Sequence, residues 1–61
     1  MIELNKGDHV KLRSLGHYWV IENVGMYHTA LVYKGKHIIV DKCRVKYKKI
    51  RGRYMRIRRW W

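Results

Sequence analysis

The chain contains no proline and no phenylalanine, a single cysteine, and four acidic residues among its 61. One cysteine, Cys43, excludes an intramolecular disulfide, so no covalent cross-link holds the fold together. The longest uninterrupted apolar run is about four residues, whereas a membrane-spanning helix needs about 20. Because the first residues also lack the basic region of a signal peptide, we expect a cytoplasmic protein.

The few acidic residues are unevenly placed along the chain. Fifteen Lys and Arg against four Asp and Glu give a formal charge of +11. Residues 42–61 contain ten of the basic residues and no acid, whereas residues 1–41 contain the other five and all four acids. This asymmetry indicates a polyanionic partner, either nucleic acid or an anionic membrane surface.

Residues 1–47 have the pattern of short β-strands separated by turns. The first run alternates apolar and polar residues, and the absence of proline leaves each strand able to donate its ladder hydrogen bonds. Lys34-Gly35-Lys36 lies between two β-branched and aromatic runs and predicts a hairpin, and residues 41–44 predict a single tight turn. The five predicted strands are Asp8–Arg13, Tyr18–Val24, His28–Tyr33, His37–Val40 and Val45–Tyr47, a spacing typical of a small barrel or sandwich.

Residues 48–61 have a different pattern and form a predicted basic tail. On a helix, Ile50, Tyr54, Ile57 and Trp61 would make one apolar stripe. Gly52 weakens such a helix by about 1 kcal/mol relative to alanine, and the segment is short for a helix in water. We therefore expect a tail that is helical or disordered when free; the alternative is a sixth strand through Tyr54.

The segment from Lys6 to Leu12, Lys-Gly-Asp-His-Val-Lys-Leu, resembles the opening of small SH3-like barrels of the KOW and Tudor type. Gly16 and the Val20/Val24 pair lie about where that pattern has its loop and second strand, but Trp19 stands where the KOW loop has a second glycine. The resemblance covers residues 4–47. It implies an all-β fold, a small five-stranded SH3-like barrel, with residues 48–61 as a separate basic C-terminal extension.

Four aromatic residues of the predicted barrel, Tyr18, Trp19, Tyr27 and Tyr33, have two readings. They form a stacking platform or cage on the surface, or they supply the bulk that a chain without phenylalanine needs in its core. We expect Trp19 in the core and leave Tyr27 and Tyr33 open.

The basic tail and the nearby barrel cations are the predicted nucleic-acid site. Arg and Lys neutralise phosphates and release counterions. The interleaved rings of Tyr47, Tyr54, Trp60 and Trp61 are suited to stack on bases or wedge into a groove. Arg-rich arms suit the minor groove, so we expect DNA rather than RNA, bound with little sequence preference. The predicted contacts are Lys34, Lys36, Arg44, Lys46, Lys48, Lys49, Arg51, Arg53, Tyr54, Arg56, Arg58, Arg59, Trp60 and Trp61.

Two other partners fit the same composition. An adapter would dock its basic surface on an acidic face of a nucleic-acid enzyme, such as RNA polymerase or a nuclease, and regulate it. Tiny basic regulators are frequent among bacterial and phage proteins, which is an argument by analogy. An anionic-membrane binder would use the Arg and Trp residues of the tail at the lipid headgroups.

Catalysis, metals and cofactors have little support in the sequence. The four carboxylates are scattered, and so small a barrel has no room for a sequestered cleft around Cys43 and a histidine. No Cys-x-x-Cys or His-x₃₋₅-His spacing is present. We therefore expect a non-catalytic protein with no metal and no cofactor.

Overall fold

The computed structural model describes residues 4–57, which form one antiparallel sheet of six strands in the order β4-β3-β2-β1-β5-β6. The small all-β class is confirmed. Within these residues the sheet is open, with β4 and β6 at its two edges. The strands are β1 His9–Lys11, β2 Trp19–Val24, β3 His28–Tyr33, β4 Lys36–Asp41, β5 Tyr47–Ile50 and β6 Arg53–Arg56, with one 3-10 turn, Lys42–Arg44, between β4 and β5.

The core lies on one face of the sheet because apolar residues alternate along the central strands. Val10, Ile21 and Leu31 are almost fully buried, and Trp19 is 8% exposed, so the prediction that Trp19 fills the core is confirmed. The buried residues are Leu4, Val10, Trp19, Ile21, Thr29, Leu31, Val45 and Ile57. The Thr29 hydroxyl, the polar member of this set, donates a hydrogen bond to the Asn23 carbonyl at 2.9 Å.

The Lys-Gly-Asp turn fixes the start of β1 against β2. The Asp8 carboxylate accepts the Asn5 backbone N–H at 2.8 Å. Gly7 N–H donates to the Ile21 carbonyl, and Ile21 N–H donates to the Asp8 carbonyl, each at 2.9 Å. The positive φ of Gly7, 92°, is a conformation that residues with a side chain rarely adopt.

The prediction of a helical or disordered tail is wrong for residues 48–57, which form the β5–β6 hairpin. Arg51 and Gly52 both have positive φ, 53° and 81°, as a two-residue type I′ turn requires. β5 also pairs with β1, matching Val10 with Lys48, and Ile57 is buried in the core. This pairing and burial outweigh the local helical pattern. The last member of the predicted helical stripe, Trp61, lies outside the described residues.

One further strand prediction is corrected, and two others are confirmed. The last predicted strand, at residues 45–47, is displaced: β5 begins at Tyr47 and ends at Ile50. The alternative of a sixth strand through Tyr54 is confirmed by β6. The predicted β3–β4 hairpin is also confirmed, with Lys34 and Gly35 as its two-residue turn.

Replacing Gly52 tests hairpin against helix, because the two structures predict effects of opposite sign. In a helix, Gly52→Ala adds about 1 kcal/mol of stability. In the observed turn it forces alanine to a φ of 81°, which costs about 1–2 kcal/mol. We expect urea unfolding followed by circular dichroism to show a lower midpoint for Gly52→Ala, similar to the loss for Gly35→Ala at the equivalent turn position. A raised midpoint would contradict the hairpin.

Candidate nucleic-acid interface

Six residues of β1, β5 and β6 share the face of the sheet opposite the buried Val10, and five of them are lysine, arginine or tyrosine. The register matches Lys11 with Tyr47, Tyr47 with Arg56, and Lys49 with Tyr54. Directly opposed residues on neighbouring strands project to the same face, and Tyr47 and Lys49 share it because they are two positions apart. We call these five the cationic-aromatic face: Lys11, Tyr47, Lys49, Tyr54 and Arg56.

Each of the three cations of this face lies over a tyrosine ring. Lys11 Nζ is 4.8 Å from the centroid of Tyr54, and Lys49 Nζ is 6.0 Å from the same centroid. The guanidinium carbon of Arg56 is 5.9 Å from the centroid of Tyr47. Such contacts contribute about 0.5–1 kcal/mol at exposed sites and hold charge and ring side by side. The face therefore places each positive charge within 6.0 Å of the centre of a tyrosine ring.

The carboxylates among residues 4–57 are directed to other partners. The Asp8 carboxylate is 3.2 Å from Lys48 Nζ, on the partly buried side of β5. Glu22 contacts His37 at 2.9 Å, and Asp41 contacts His28 at 3.0 Å, both at exposed positions in the β2-β3-β4 half of the sheet. Within the described residues, the three cations of the cationic-aromatic face therefore keep a positive potential that no carboxylate compensates, and a polyanion is the kind of partner that complements it.

Tyr18 extends the aromatic surface toward β2. Its ring stacks on His9 at 4.7 Å and meets Tyr33 edge-on at 5.3 Å. Partial burial raises the pKa of Tyr54, and the nearby Tyr18 phenol raises it further, so the Tyr54 hydroxyl stays neutral at physiological pH. The β1–β2 register places Tyr18 next in line with Lys11, because Val10 is opposite Trp19.

The aromatic residues that the sequence singled out are partly brought together. Tyr33 contacts Tyr18 and Trp19, and it stacks on His17 with 4.1 Å between ring centroids. Tyr27 lies in the β2–β3 loop and is 73% exposed. These contacts form an aromatic cluster at the end of β3 that leads into the β3–β4 turn. Trp19 is the buried member of this cluster.

The predicted tail cations divide between the two sides of the β5–β6 hairpin. Lys49, Tyr54 and Arg56 belong to the cationic-aromatic face. Lys48 is matched with Val10 on the other side and contacts Asp8, and Arg53, which alternates with Tyr54, is opposite Ile50. Arg51 lies in the turn. Arg58, Arg59, Trp60 and Trp61 lie outside the described residues.

The predicted barrel cations lie elsewhere. Lys34 and Lys36 are at the β3–β4 turn, where Lys34 Nζ is 5.5 Å from the Tyr33 ring centroid. Arg44 and Lys46 line an open cleft of about 630 Å³ together with Arg13. These residues add positive charge to the surface without joining the cationic-aromatic face.

Sequence reasoning named Tyr47 among the stacking rings and missed one member of this face, Lys11. Lys11 was visible as a polar position of the alternating first strand, but its place beside Tyr54 depends on the pairing of β1 with β5. Because residues 48–61 were interpreted as a helix or a disordered tail, no pairing of this segment with β1 was predicted. The alternation in β1 combined with a strand reading of residues 47–50 would have been the signal.

Residues 4–57 contain neither a metal-binding cluster nor a membrane-spanning helix. In that range no group of three His, Cys, Asp or Glu side chains is placed to hold a metal ion. No helix among the described residues is long and apolar enough to cross a membrane.

Comparison with known proteins gives no relative. No protein-family model, no curated protein and no solved structure matches the chain. The molecule is a small all-β protein with a cationic-aromatic face on one side of its sheet.

Proposed function

We propose that the protein is a non-catalytic nucleic-acid-binding protein that captures phosphates with little sequence preference. The observation that carries the proposal is the grouping of Lys11, Lys49 and Arg56 with two tyrosines on one face, away from the carboxylates of residues 4–57. The further cations of residues 42–61 add long-range attraction. In fold terms we propose an SH3-like barrel, supported by the 3-10 turn before β5 and the pairing of β5 with β1.

Binding follows from counterion release. Each cation that contacts a phosphate frees condensed counterions, so log K falls with log salt by about 0.7–0.9 per contact. The face carries no Asn, Gln, Asp or Glu to read base edges, which are the side chains that discriminate A or C in a groove. Affinity should therefore depend strongly on salt and weakly on sequence.

Point substitutions test this proposal better than removal of the tail. A chain ending at Lys48 lacks β6, half of β5 and the buried Ile57, so it loses part of its core together with its cations. Lys49→Gln removes one charge from the cationic-aromatic face and leaves the core intact. Lys6→Gln removes one charge from an exposed turn residue outside the face.

We expect Lys49→Gln to make the salt slope of nucleic-acid binding shallower by about 0.7–0.9 and to weaken binding several-fold at low salt. The matched Lys6→Gln should change both values much less, because Lys6 makes no phosphate contact in this account. Fluorescence anisotropy over a salt series measures both quantities. Equal effects of the two variants would mean that binding is spread over the whole surface and would contradict the assignment to this face.

A second candidate function is a protein adapter, favoured by the edge strand β4. Ile39 on β4 is 72% exposed and opposite Ala30. Among residues 4–57, β4 has no strand on its outer edge and offers that edge to another strand. An adapter would bind an acidic face of a nucleic-acid enzyme such as RNA polymerase or a nuclease. Binding that persists at moderate salt without nucleic acid would favour this function, whereas binding only to anionic vesicles would favour a membrane surface.

A further inference from the structure

We propose that the ligand of the cationic-aromatic face is single-stranded nucleic acid, with bases stacked on Tyr18, Tyr47 and Tyr54 and phosphates held by the cations between them. This inference rests on the proposed function and narrows it. It also differs from the duplex DNA that an Arg-rich tail suggests, because the described part of that tail is a hairpin within the sheet.

The first argument is the order of side chains across the sheet. One row runs from Tyr18 through Lys11 and Tyr47 to Arg56, alternating ring and cation. The neighbouring row runs from His9 through Lys49 to Tyr54, since the β1–β5 register brings His9 level with Lys49. Neighbouring strands are about 4.8 Å apart, so each row presents a ring or a charge about every 5 Å, the first row over about 14 Å and the second over about 10 Å. A flexible strand of alternating bases and phosphates can match both kinds of group.

The second argument is the solvent exposure and the neutral charge of the tyrosine side chains. Tyr18 is 37% exposed, and Tyr47 and Tyr54 are partly exposed on the face away from the core, so none of the three residues is closed off from solvent. The Tyr54 hydroxyl is neutral and adds no repulsion toward a phosphate. Each base of a single strand has a free π-face, and stacking on an aromatic side chain is tolerant of sequence.

The third argument is that a duplex would contact the cations of this face but not its tyrosine rings. In double-stranded DNA the base faces are stacked inside the helix, and a protein meets phosphates and groove edges. The face is three strands wide, whereas the minor groove is about 6 Å wide and the major groove admits a two-stranded ribbon. On a duplex the cations would therefore find phosphates, but the tyrosine rings would have no base to stack on.

The test compares three anionic probes with one set of variants. The probes are a labelled oligo-dT strand, a DNA duplex of the same length, and linear inorganic polyphosphate, which has charge but no bases. The variants of the full chain are Tyr47→Leu, Tyr54→Leu and Tyr54→Phe, with Tyr27→Leu as the matched control because Tyr27 is an exposed tyrosine outside the face. Circular dichroism of each variant confirms that the sheet is intact, and Tyr54→Phe keeps the ring whatever the leucine variants do to folding.

We expect the single strand to bind more tightly than the duplex at equal salt. Each leucine variant should weaken single-strand binding by about 5- to 150-fold, and Tyr54→Phe and Tyr27→Leu should change it little. Polyphosphate binding should be unchanged by all four variants. An oligo-U strand serves as a further arm, since stacking without base-edge contacts predicts similar affinity for RNA and DNA single strands.

Failure of this inference is distinguishable from failure of the proposed function. Duplex binding as tight as single-strand binding, with no loss in the leucine variants, would overturn stacking and leave phosphate capture standing. Absence of binding to all three probes would overturn both. Loss of polyphosphate binding in the leucine variants would show that the tyrosines only position the cations, and this too would overturn stacking.

Discussion

Leu31→Ala is expected to cause the largest loss of folding stability of any single substitution considered for this chain, about 2–5 kcal/mol. Leu31 is fully buried at the centre of β3, opposite Ile21 on one side and Ile38 on the other. Truncating a buried leucine costs about 2–5 kcal/mol, because transfer free energy is lost and a cavity remains. At about 0.05–0.15 kcal/mol per residue, 61 residues supply only about 3–9 kcal/mol in total. One such truncation therefore removes roughly half of the stability and lowers the urea midpoint strongly.

The chain offers a control with the same chemical change. Leu15 lies in the β1–β2 loop and is 98% exposed, so Leu15→Ala should change stability by about 0.5 kcal/mol or less. Urea unfolding of both variants, followed by circular dichroism, gives the comparison. Similar midpoints for the two variants would mean that Leu31 is not in the core, and the described arrangement of the sheet would be wrong.

The second large effect is expected from removing the charge of the cationic-aromatic face. The triple variant Lys11→Gln, Lys49→Gln, Arg56→Gln should weaken single-strand binding by on the order of a hundredfold at physiological salt. The salt slope should become shallower by about 2 to 3, since three phosphate contacts are lost. The residues of the core are unchanged, so folding should be preserved.

A charge-matched triple variant isolates position from net charge. Lys6→Gln, Lys34→Gln, Arg44→Gln also removes two lysines and one arginine, all at exposed positions outside the face. Both variants are compared by fluorescence anisotropy over the same salt series. If the control loses as much affinity as the first variant, binding depends on overall charge, and the face has no special role.

The sequence pattern predicted the β3–β4 hairpin but not the β5–β6 hairpin, although the two turns have similar sequences. Lys34-Gly35-Lys36 was correctly interpreted as a turn because clear β-branched runs flank it. Arg51-Gly52-Arg53 has the same basic-glycine-basic pattern, and both turns have positive φ at the two central residues. β5 and β6, which flank the second turn, are only four residues each. An alternation of apolar and polar residues over so short a length is a weaker signal than the apparent helical stripe. What decides β5 is its pairing with β1, far away in the sequence.

The candidate site was predictable in composition but not in geometry. The concentration of cations after residue 41 is visible in the sequence and directs attention to Lys49, Tyr54 and Arg56. Which of the cations share a face depends on the strand register, and that register brings in Lys11 and turns Lys48 to the opposite side. Non-local pairing of this kind follows from packing of the whole sheet, so local patterns do not encode it.

The most direct test of the central claim is an NMR titration of the full chain with an oligo-dT strand. Backbone amide shifts identify the residues that meet the ligand without any substitution. The account predicts that the largest changes fall on Lys11, Tyr47, Lys49, Tyr54 and Arg56, with small changes at the β3–β4 turn and the 3-10 turn. Changes concentrated at Lys34, Lys36 and Arg44 instead, or no changes at any residue, would contradict the assignment of the cationic-aromatic face as the binding site.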